Sequence, residues 1–247
     1  MNNIIKAFES TTFSEIQSVS LLNRIDTKYL LSTHRLPSLL KALQKNYVII
    51  TNNSNHIQPY TTTYFDTPDL FFYHTHHNGK LHRFKFRSRE YKHSGDVFHE
   101  IKEKLNTGKT LKSRIQRHST HTTFDTKFYT FAQSKLSTVP KEMLPQLTVQ
   151  YDRITLVDKN LSERLTIDLD IHFMHKDRHF SFDNLVIVEL KQDKGNDTSY
   201  SKKALRSLKC RPMGFSKYCI GIATTHTNIK KNNFLHKIRQ VNKICKT

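Results

Sequence analysis

Alternating polar and apolar positions dominate the middle of the chain. In residues 83–89, which read RFKFRSR, cationic side chains take every second position, and Phe84, Phe86 and Ser88 lie between them. Residues i and i+2 of a β-strand share one face and lie roughly 6.6 Å apart. The pattern therefore predicts a strand over 80–91, after the Asn-Gly turn signal at 78–79, with a row of positive charge on one face.

The same period of two predicts a set of further strands. They cover 23–31, 47–51, 60–67, 96–105, 146–158, 163–173, 178–182 and 184–192. Helical patterns instead mark 12–22, 32–46, 124–136, 197–208 and 233–245, and the last of these is basic and amphipathic. Short connections between the strands favour antiparallel pairing, so the predicted class is α+β.

A charged face that recurs on several strands has two structural explanations. The simpler is an open sheet with one face in water. The other is a closed barrel with a charged interior, whose apolar outside is covered by helices and which leaves no exposed strand edge. Rows of Arg and Lys with isolated carboxylates differ from the mixed polar order of a solvated face, which weakens the open-sheet explanation, and the closed barrel remains the alternative. Its interior tolerates such charge only when a polyanion, metal ions or water fill it.

The overall charge agrees with an anionic partner. The 247 residues include 40 Lys and Arg against 21 Asp and Glu, a net charge of +19 with neutral histidines. Such a surplus favours nucleic acid, an acidic membrane surface or phosphate compounds. Signatures of helix-turn-helix, zinc-finger and RNP proteins are missing from the sequence, so we expect no specific nucleic-acid partner.

Cysteine usage and the N-terminal segment indicate the compartment. Cys210, Cys219 and Cys245 have no metal-ligand spacing and make no even disulfide set. The N-terminal segment lacks a signal-peptide apolar region, and no apolar run approaches ~18 residues. We therefore expect a reduced, cytoplasmic protein, and its basic surface leaves an acidic membrane surface or a membrane partner open.

An ordered set of motifs carries a family resemblance. It comprises RIDTKYLL, YFDTPDLFFY, GKLHRFKFRSREY, HEIKEK, YDRITL, ERLTIDLD, VIVELK and FSKYCIG. In order and spacing the set resembles the VTC domain, the catalytic domain of vacuolar transporter chaperone polyphosphate polymerases, within the triphosphate tunnel metalloenzymes. The resemblance extends over roughly residues 20–222, and it implies a single domain over 1–247 that ends in the basic helix at 233–245.

This resemblance implies both a fold and ligands. The fold is a closed, antiparallel, eight-stranded β-barrel that forms a tunnel, with helices packed around it. The ligands are ATP or another triphosphate, inorganic polyphosphate and a divalent metal, Mn²⁺ or Mg²⁺. A chain of phosphates is then the anion that the charged rows bind.

Individual positions follow from the same resemblance. The implied catalytic residues are Lys28, Arg87, Lys102, Arg153, Arg164 and Lys217. The implied substrate-binding residues are Arg83, Lys85, Arg114 and Lys191. Glu189 in VELK matches the metal-binding glutamate, and Glu100 is a second candidate ligand. Hydrolytic relatives often begin E-x-E-x-K, whereas this chain has Arg24 and Asp26 before Lys28, and the loss of one paired acid argues against that hydrolase type.

The implied reaction is attack by a terminal phosphate oxygen of a growing chain on the γ-phosphate of ATP, with release of ADP. Phosphoryl transfer needs mainly alignment and charge neutralisation, which arginine forks and lysine ammonium groups supply. Two alternatives stay open. One is a triphosphatase or polyphosphatase of the same fold, with water positioned by Glu100, Asp168 or Asp170. The other is a non-catalytic protein that binds polyanions, including nucleic acid.

Overall fold

The computed structural model describes residues 1–12, 14–16, 24–117, 123–193 and 199–246. The strands are β1 Ser10–Thr12, β2 Arg24–Ser32, β3 Tyr47–Thr51, β4 Gln58–Asp66, β5 Arg83–Tyr91, β6 Val97–Lys104, β7 Thr110–Arg117, β8 Leu144–Asp158, β9 Glu163–His175, β10 Arg178–Ser181 and β11 Leu185–Asp193. The α-helices are α1 Asn2–Lys6, α2 Leu36–Leu43, α3 Phe71–His77, α4 Thr126–Gln133, α5 Tyr200–Ser207, α6 Lys217–Thr225 and α7 Asn232–Cys245.

The α+β class is confirmed, and all eleven strands join one sheet. Its main path runs β2-β11-β9-β8-β4-β5-β6-β7 with antiparallel neighbours, while β10 pairs with β9, β3 with β8, and β1 with β3 in parallel. The helix predicted over 12–22 lies mostly outside the described residues. Within the described residues, no helix is long and apolar enough to cross a membrane.

The prediction of a closed eight-stranded barrel is wrong. The sheet has eleven strands, and β2 and β7 are the two ends of its hydrogen-bonded path across the described residues. The free edge of β2 is met by the connection between α5 and α6, because Tyr29 bridges Pro212 and the amide of Met213 donates to Lys28 O at 2.8 Å. Strand β7 has exposed cations along its length, and charged side chains discourage further pairing at a strand edge.

Strand parity places the predicted charges on one face, here called the inner face and defined by Lys28, Arg87, Arg153 and Glu189. The sheet curls around this face. Lys102 on β6 lies close enough to Lys28 and Glu189, near the opposite end of the path, for them to influence its pKa. The result is a curved surface with its charges turned towards each other.

Three clusters of buried apolar residues pack the helices against the two faces of the curved sheet. On the outer face, α2 and α5 cover Leu31, Ile167 and Val188, and α4 covers Phe86 and Ile101. The third core lies on the inner face, beyond the charges, where α6 and α7 pack over the residues Leu30, Leu147, Phe173 and Ile187. The inner face is therefore charged over one part and apolar over the other.

Gly221 sets the depth of α6 against the sheet. A Cβ at this position would lie 2.5 Å from Leu147 Cδ2 and 2.6 Å from Phe173 Cδ1, closer than van der Waals contact permits. Because glycine lets α6 lie against β8 and β9, the first residues of the helix reach the charged part of the inner face.

Candidate functional site

The first charged centre lies on β5, β6 and β7 around the carboxylate of Glu100. Arg87 Nε donates to Glu100 Oε2 at 2.6 Å, Lys112 also contacts the carboxylate, and an Arg89 guanidinium nitrogen lies 3.9 Å away. The side chain of Glu100 is 0% exposed. Burial opposes its ionisation, but the three cations outweigh burial and hold the pKa of Glu100 far below its usual range.

The second centre lies on β2 and β11 around Glu189, which is opposite Lys28 in the antiparallel register. Lys28 Nζ lies 3.8 Å from Glu189 Oε2, and Lys191 contacts the other carboxylate oxygen. Lys191 Nζ also donates to Asp26 at 2.8 Å. Burial raises the pKa of Glu189, but Lys28, Lys191 and Lys102 reverse that effect and lower it well below the usual value.

The third centre joins β8, β9 and α6 at Asp168. Arg153 donates through Nε at 2.6 Å and through Nη2 at 2.9 Å, a two-bond fork that fixes the carboxylate, and Lys217 contacts it from α6. Burial raises the pKa of Asp168, whereas Arg153 and Lys217 bring it down to about 2. Lys217 Nζ lies 4.4 Å from the centre of the Tyr151 ring, so the cation also packs on an aromatic face.

The two residues that precede α6 contact the lysines of the sheet. Lys85 Nζ donates to Ser216 Oγ at 3.0 Å, and Lys28 Nζ donates to Phe215 O at 3.1 Å. Burial, together with the nearby cations, lowers the pKa of Lys85 to about 8. Burial and the neighbouring Arg87 likewise lower the pKa of Lys102. These amines are crowded by positive charge, which an anion would relieve.

The structure brings most of the predicted residues together. The three centres and their connecting lysines contain Lys28, Lys85, Arg87, Glu100, Lys102, Arg153, Glu189, Lys191 and Lys217. Arg164 is opposite Lys191 in the register of β9 and β11, so it belongs to the same face. Arg83 and Arg114 are peripheral: Arg83 donates to Lys80 O, and the Arg114 guanidinium lies 4.7 Å above the Phe98 ring.

Five residues of the site were not predicted as site residues: Asp26, Arg89, Lys112, Tyr151 and Ser216. Arg89 belongs to the cationic row of RFKFRSR, and Tyr151 lies two positions before Arg153, so both carried a period-two signal. Lys112 and Ser216 lie on or beside β7 and α6, which the sequence patterns did not identify. Burial favours a high pKa for Tyr151, but Arg89, Arg153 and Lys217 lower it. Within the described residues, the buried Tyr151 hydroxyl has no hydrogen-bond partner.

The donor set of the second centre fits a divalent cation. Asp26 and Glu189 both direct an oxygen to Lys191 Nζ, so the two carboxylates converge on one point. Mg²⁺ in proteins is commonly held by one or two carboxylates, with water and substrate phosphates completing its coordination. No group of three or more His, Cys, Asp or Glu suited to a metal occurs in the described part of the chain. A cation here would take water or phosphate oxygens as its further ligands.

Comparison with known proteins agrees with the fold. The VTC domain family matches residues 23–226. A search of curated proteins gives no match. HpAC1 from Hippeastrum, for which a dominant triphosphatase activity is described, is similar with a TM-score of 0.52 and 12% identity, over 83% of this chain and 98% of that chain. A candidate adenylate cyclase from Vibrio parahaemolyticus has a TM-score of 0.47 and 12% identity, over 80% and 97% of the two chains.

These matches carry different weight. At 12% identity, the likeness to HpAC1 supports the fold alone. The family match begins one residue before β2 and ends one residue after α6, so it spans the elements that carry the three charged centres. It confirms the resemblance read from the motifs: this chain belongs to the VTC domain family.

Proposed function

We propose that this protein is a metal-dependent phosphotransferase that moves the γ-phosphate of ATP to the end of an inorganic polyphosphate chain. The observation that carries the proposal is the charge surplus of the inner face. At the three charged centres and their connecting lysines, eight buried or half-buried cations accompany three buried or half-buried carboxylates, which leaves five positive charges (eight minus three). The cations are Lys28, Lys85, Arg87, Arg89, Lys102, Arg153, Lys191 and Lys217, and the carboxylates are Glu100, Asp168 and Glu189.

The surplus suits a row of phosphates better than a single anion. The cations are spread over β2, β5, β6, β8, β11 and α6, so an elongated polyanion is needed to reach them all. Arginine forks match pairs of phosphate oxygens, and lysines act as movable point charges. Asp26 and Glu189 would hold the divalent cation, Mn²⁺ or Mg²⁺. When bound, that cation neutralises charge on the transferred phosphate.

Transfer to polyphosphate is favoured over hydrolysis by the state of the carboxylates. A hydrolase needs a group that positions or deprotonates water. Glu100 and Asp168 are each engaged by a guanidinium and a lysine, and nearby cations lower their pKa, so they are poor bases. Asp170 is exposed and accepts a hydrogen bond from His172 at 2.8 Å. A terminal phosphate oxygen is already anionic and needs no such base.

In the proposed reaction, that oxygen forms a bond to the γ-phosphorus of ATP as the bond from the γ-phosphorus to the bridging oxygen breaks. ADP leaves with the bonding electrons, and the chain gains one phosphate. Arg87, Arg153 and Lys217 hold the reacting phosphates in line, since positioning and charge neutralisation supply most of the catalysis in phosphoryl transfer.

Product analysis tests the proposal. Purified protein with ATP and Mn²⁺ or Mg²⁺ is expected to give ADP and polyphosphate. Arg87→Ala should abolish this activity, and Arg178→Ala, which removes an exposed arginine on β10, should retain it. ADP with free phosphate as the main product would assign a triphosphatase instead. Absence of ATP turnover together with binding of tripolyphosphate would assign a non-catalytic polyanion-binding protein.

A further inference from the structure

The last fifth of the chain carries a second, separate concentration of positive charge. Residues 198–247 contain twelve Lys and Arg and no Asp or Glu. Only Lys217 of these twelve belongs to the three charged centres. The other eleven, twelve minus one, are therefore not explained by the site. Some of these cations are on α5, over the outer face of the sheet, and others are on α7, over its inner face. Cations clustered on one surface create a field that attracts polyanions to it.

Helix α7 displays part of this charge in a row. Its apolar residues Phe234, Ile238 and Val241 face the core shared with α6. His236, Arg239, Lys243 and Lys246 follow at intervals of three, four and three residues. These intervals place them on one helix face, and all four are exposed. The outward face of α7, defined by these four residues, is a basic stripe along the helix.

Helix α7 approaches the site through Lys237, which is half-buried and lies on the flank of the helix between its apolar face and the basic stripe. Lys237, next to His236, places its Nζ 3.7 Å from where a Cβ on Gly214 would lie. Gly214 precedes Phe215, whose carbonyl accepts a hydrogen bond from Lys28, and Ser216, whose hydroxyl accepts one from Lys85. Positive charge therefore continues from the inner face, across the residues before α6, to α7.

We propose that the outward face of α7 binds the part of an inorganic polyphosphate chain that lies outside the site. The inference rests on the proposed function, because it assumes that the site handles a chain longer than it can enclose. A long polyphosphate carries negative charge on every unit, so a segment that leaves the inner face meets the basic stripe next.

An anionic membrane fits this surface less well. Helices that bind a membrane surface bury exposed apolar side chains among the lipids. The apolar face of α7 is instead packed inward, with Val241 0% exposed, and Leu235 is the large apolar residue of the helix that stays exposed, at 37%.

A matched pair of triple variants tests the proposal. The first is Arg239→Gln, Lys243→Gln and Lys246→Gln on the outward face of α7. The control is Lys127→Gln, Lys135→Gln and Lys141→Gln, on or near α4, which covers the outer face of the sheet. Each variant removes three exposed positive charges. Affinities for long-chain polyphosphate and for tripolyphosphate are measured over a range of salt concentrations.

The α7 variant should bind long-chain polyphosphate about tenfold more weakly at low salt. The slope of log affinity against log salt should also become shallower by about 2, because each of the three lost phosphate contacts contributes about 0.7 to it. The control variant should bind it as the parent does, and all three proteins should bind tripolyphosphate equally. Unchanged long-chain affinity in the α7 variant, equal losses in both variants, or a parallel loss for tripolyphosphate would each overturn the proposal.

Two further arms separate this proposal from its rivals and from the proposed function. If phosphatidylserine vesicles bind the parent and not the α7 variant, while polyphosphate affinity is unchanged, the stripe is a membrane surface. The same pattern with duplex DNA would make it a nucleic-acid surface. A parent protein that binds tripolyphosphate but fails to turn over ATP would reject the proposed function, and the long-chain comparison would still decide the role of α7.

Discussion

Glu100 and Glu189 lie near opposite ends of the same sheet, and each is surrounded by cations, but the cations differ in kind. Glu100 is 0% exposed and is held by Arg87, with Arg89 and Lys112 close by. The Glu189 side chain is 17% exposed, and its neighbours Lys28, Lys191 and Lys102 are all lysines. Glu100 is contacted by the Arg87 guanidinium and the Lys112 amine, with Arg89 at 3.9 Å, whereas Glu189 is reached by flexible amines only.

This difference in neighbouring cations indicates different roles for the carboxylates of Glu100 and Glu189. A guanidinium stays charged at all relevant pH values and binds a carboxylate in a planar fork, so Glu100 is fixed as a permanent counter-charge. An ammonium group sits on a flexible stem and can turn towards another anion. Glu189 can therefore exchange a lysine contact for a divalent cation when phosphates draw the lysines away, which makes it the stronger metal ligand of the two.

The largest expected effect comes from breaking the Glu100 centre. Glu100→Gln leaves Arg87 and Arg89 buried without a counter-charge, and loss of one partner of a buried ion pair typically costs about 3–5 kcal/mol. Glu189→Gln should reduce the unfolding free energy by only about 1.5 kcal/mol, because its lysine partners can turn to water. Urea unfolding of both variants at neutral pH measures the difference. Equal losses of unfolding free energy would show that Glu100 and Glu189 contribute equally to stability.

A smaller effect should distinguish the two carboxylates as metal ligands. In the parent, Mn²⁺ should strengthen binding of tripolyphosphate. In Glu189→Gln, this metal-dependent increase in affinity should be about tenfold smaller, a difference of about 1.4 kcal/mol. Asp26→Asn should act in the same direction and more weakly, because Asp26 is more exposed. Titration calorimetry with and without Mn²⁺ provides the measurement. Metal enhancement that survives in Glu189→Gln would remove Glu189 from the proposed cation site.

The faces of the strands were predictable because side-chain alternation is local. Within each strand, alternation alone puts Arg87, Arg153 and Glu189 on the face opposite to their immediate neighbours, and each strand sequence contains that information. Closure of the sheet is not local. It depends on what meets the edge of β2, and residues 212–213 meet it after a separation of roughly 180 residues along the chain. Nothing in the β2 sequence RIDTKYLL indicates that residues 212–213 will occupy this edge in place of another strand.

Strand β7 and helix α6, which the sequence patterns did not predict, show a second limit of prediction from the sequence. Strand β7 reads TLKSRIQR, and it is exposed over much of its length, so its apolar side is too weak to mark a strand. Helix α6 reads KYCIGIATT and is buried almost all round, so it has no polar face to give a helical period. It lies where it does because Gly221 fits against Leu147 and Phe173. Tertiary packing selects that conformation, and with it the positions of Ser216 and Lys217.

The smallest expected effect is a pH dependence, which compares Lys112, a lysine in contact with Glu100, with Lys85, a lysine that donates to Ser216 and lies among other cations. Burial lowers the pKa of Lys85 and of Lys112 to about 8, and neighbouring arginines act in the same direction, while the contact with Glu100 partly offsets the lowering at Lys112. Unfolded lysines titrate near about 10.4. Between these values the folded protein binds fewer protons than the unfolded chain, so the unfolding free energy of the anion-free protein should rise with pH across that window.

Binding of tripolyphosphate should show the opposite trend, since the anion favours the protonated amines. Its affinity should fall as pH rises through about 8, and binding near that pH should take up protons. Lys85→Gln should reduce this proton uptake, measured as the buffer dependence of the binding enthalpy, whereas the exposed Lys127→Gln should leave it unchanged. Lys112→Gln should have the weaker effect of the two site variants, because Lys112 already contacts Glu100 and gains less from a new anion. Equal proton uptake in Lys85→Gln and in the parent would mean that Lys85 is fully protonated before the anion binds, and that the crowding of cations around Lys85 is weaker than the geometry indicates.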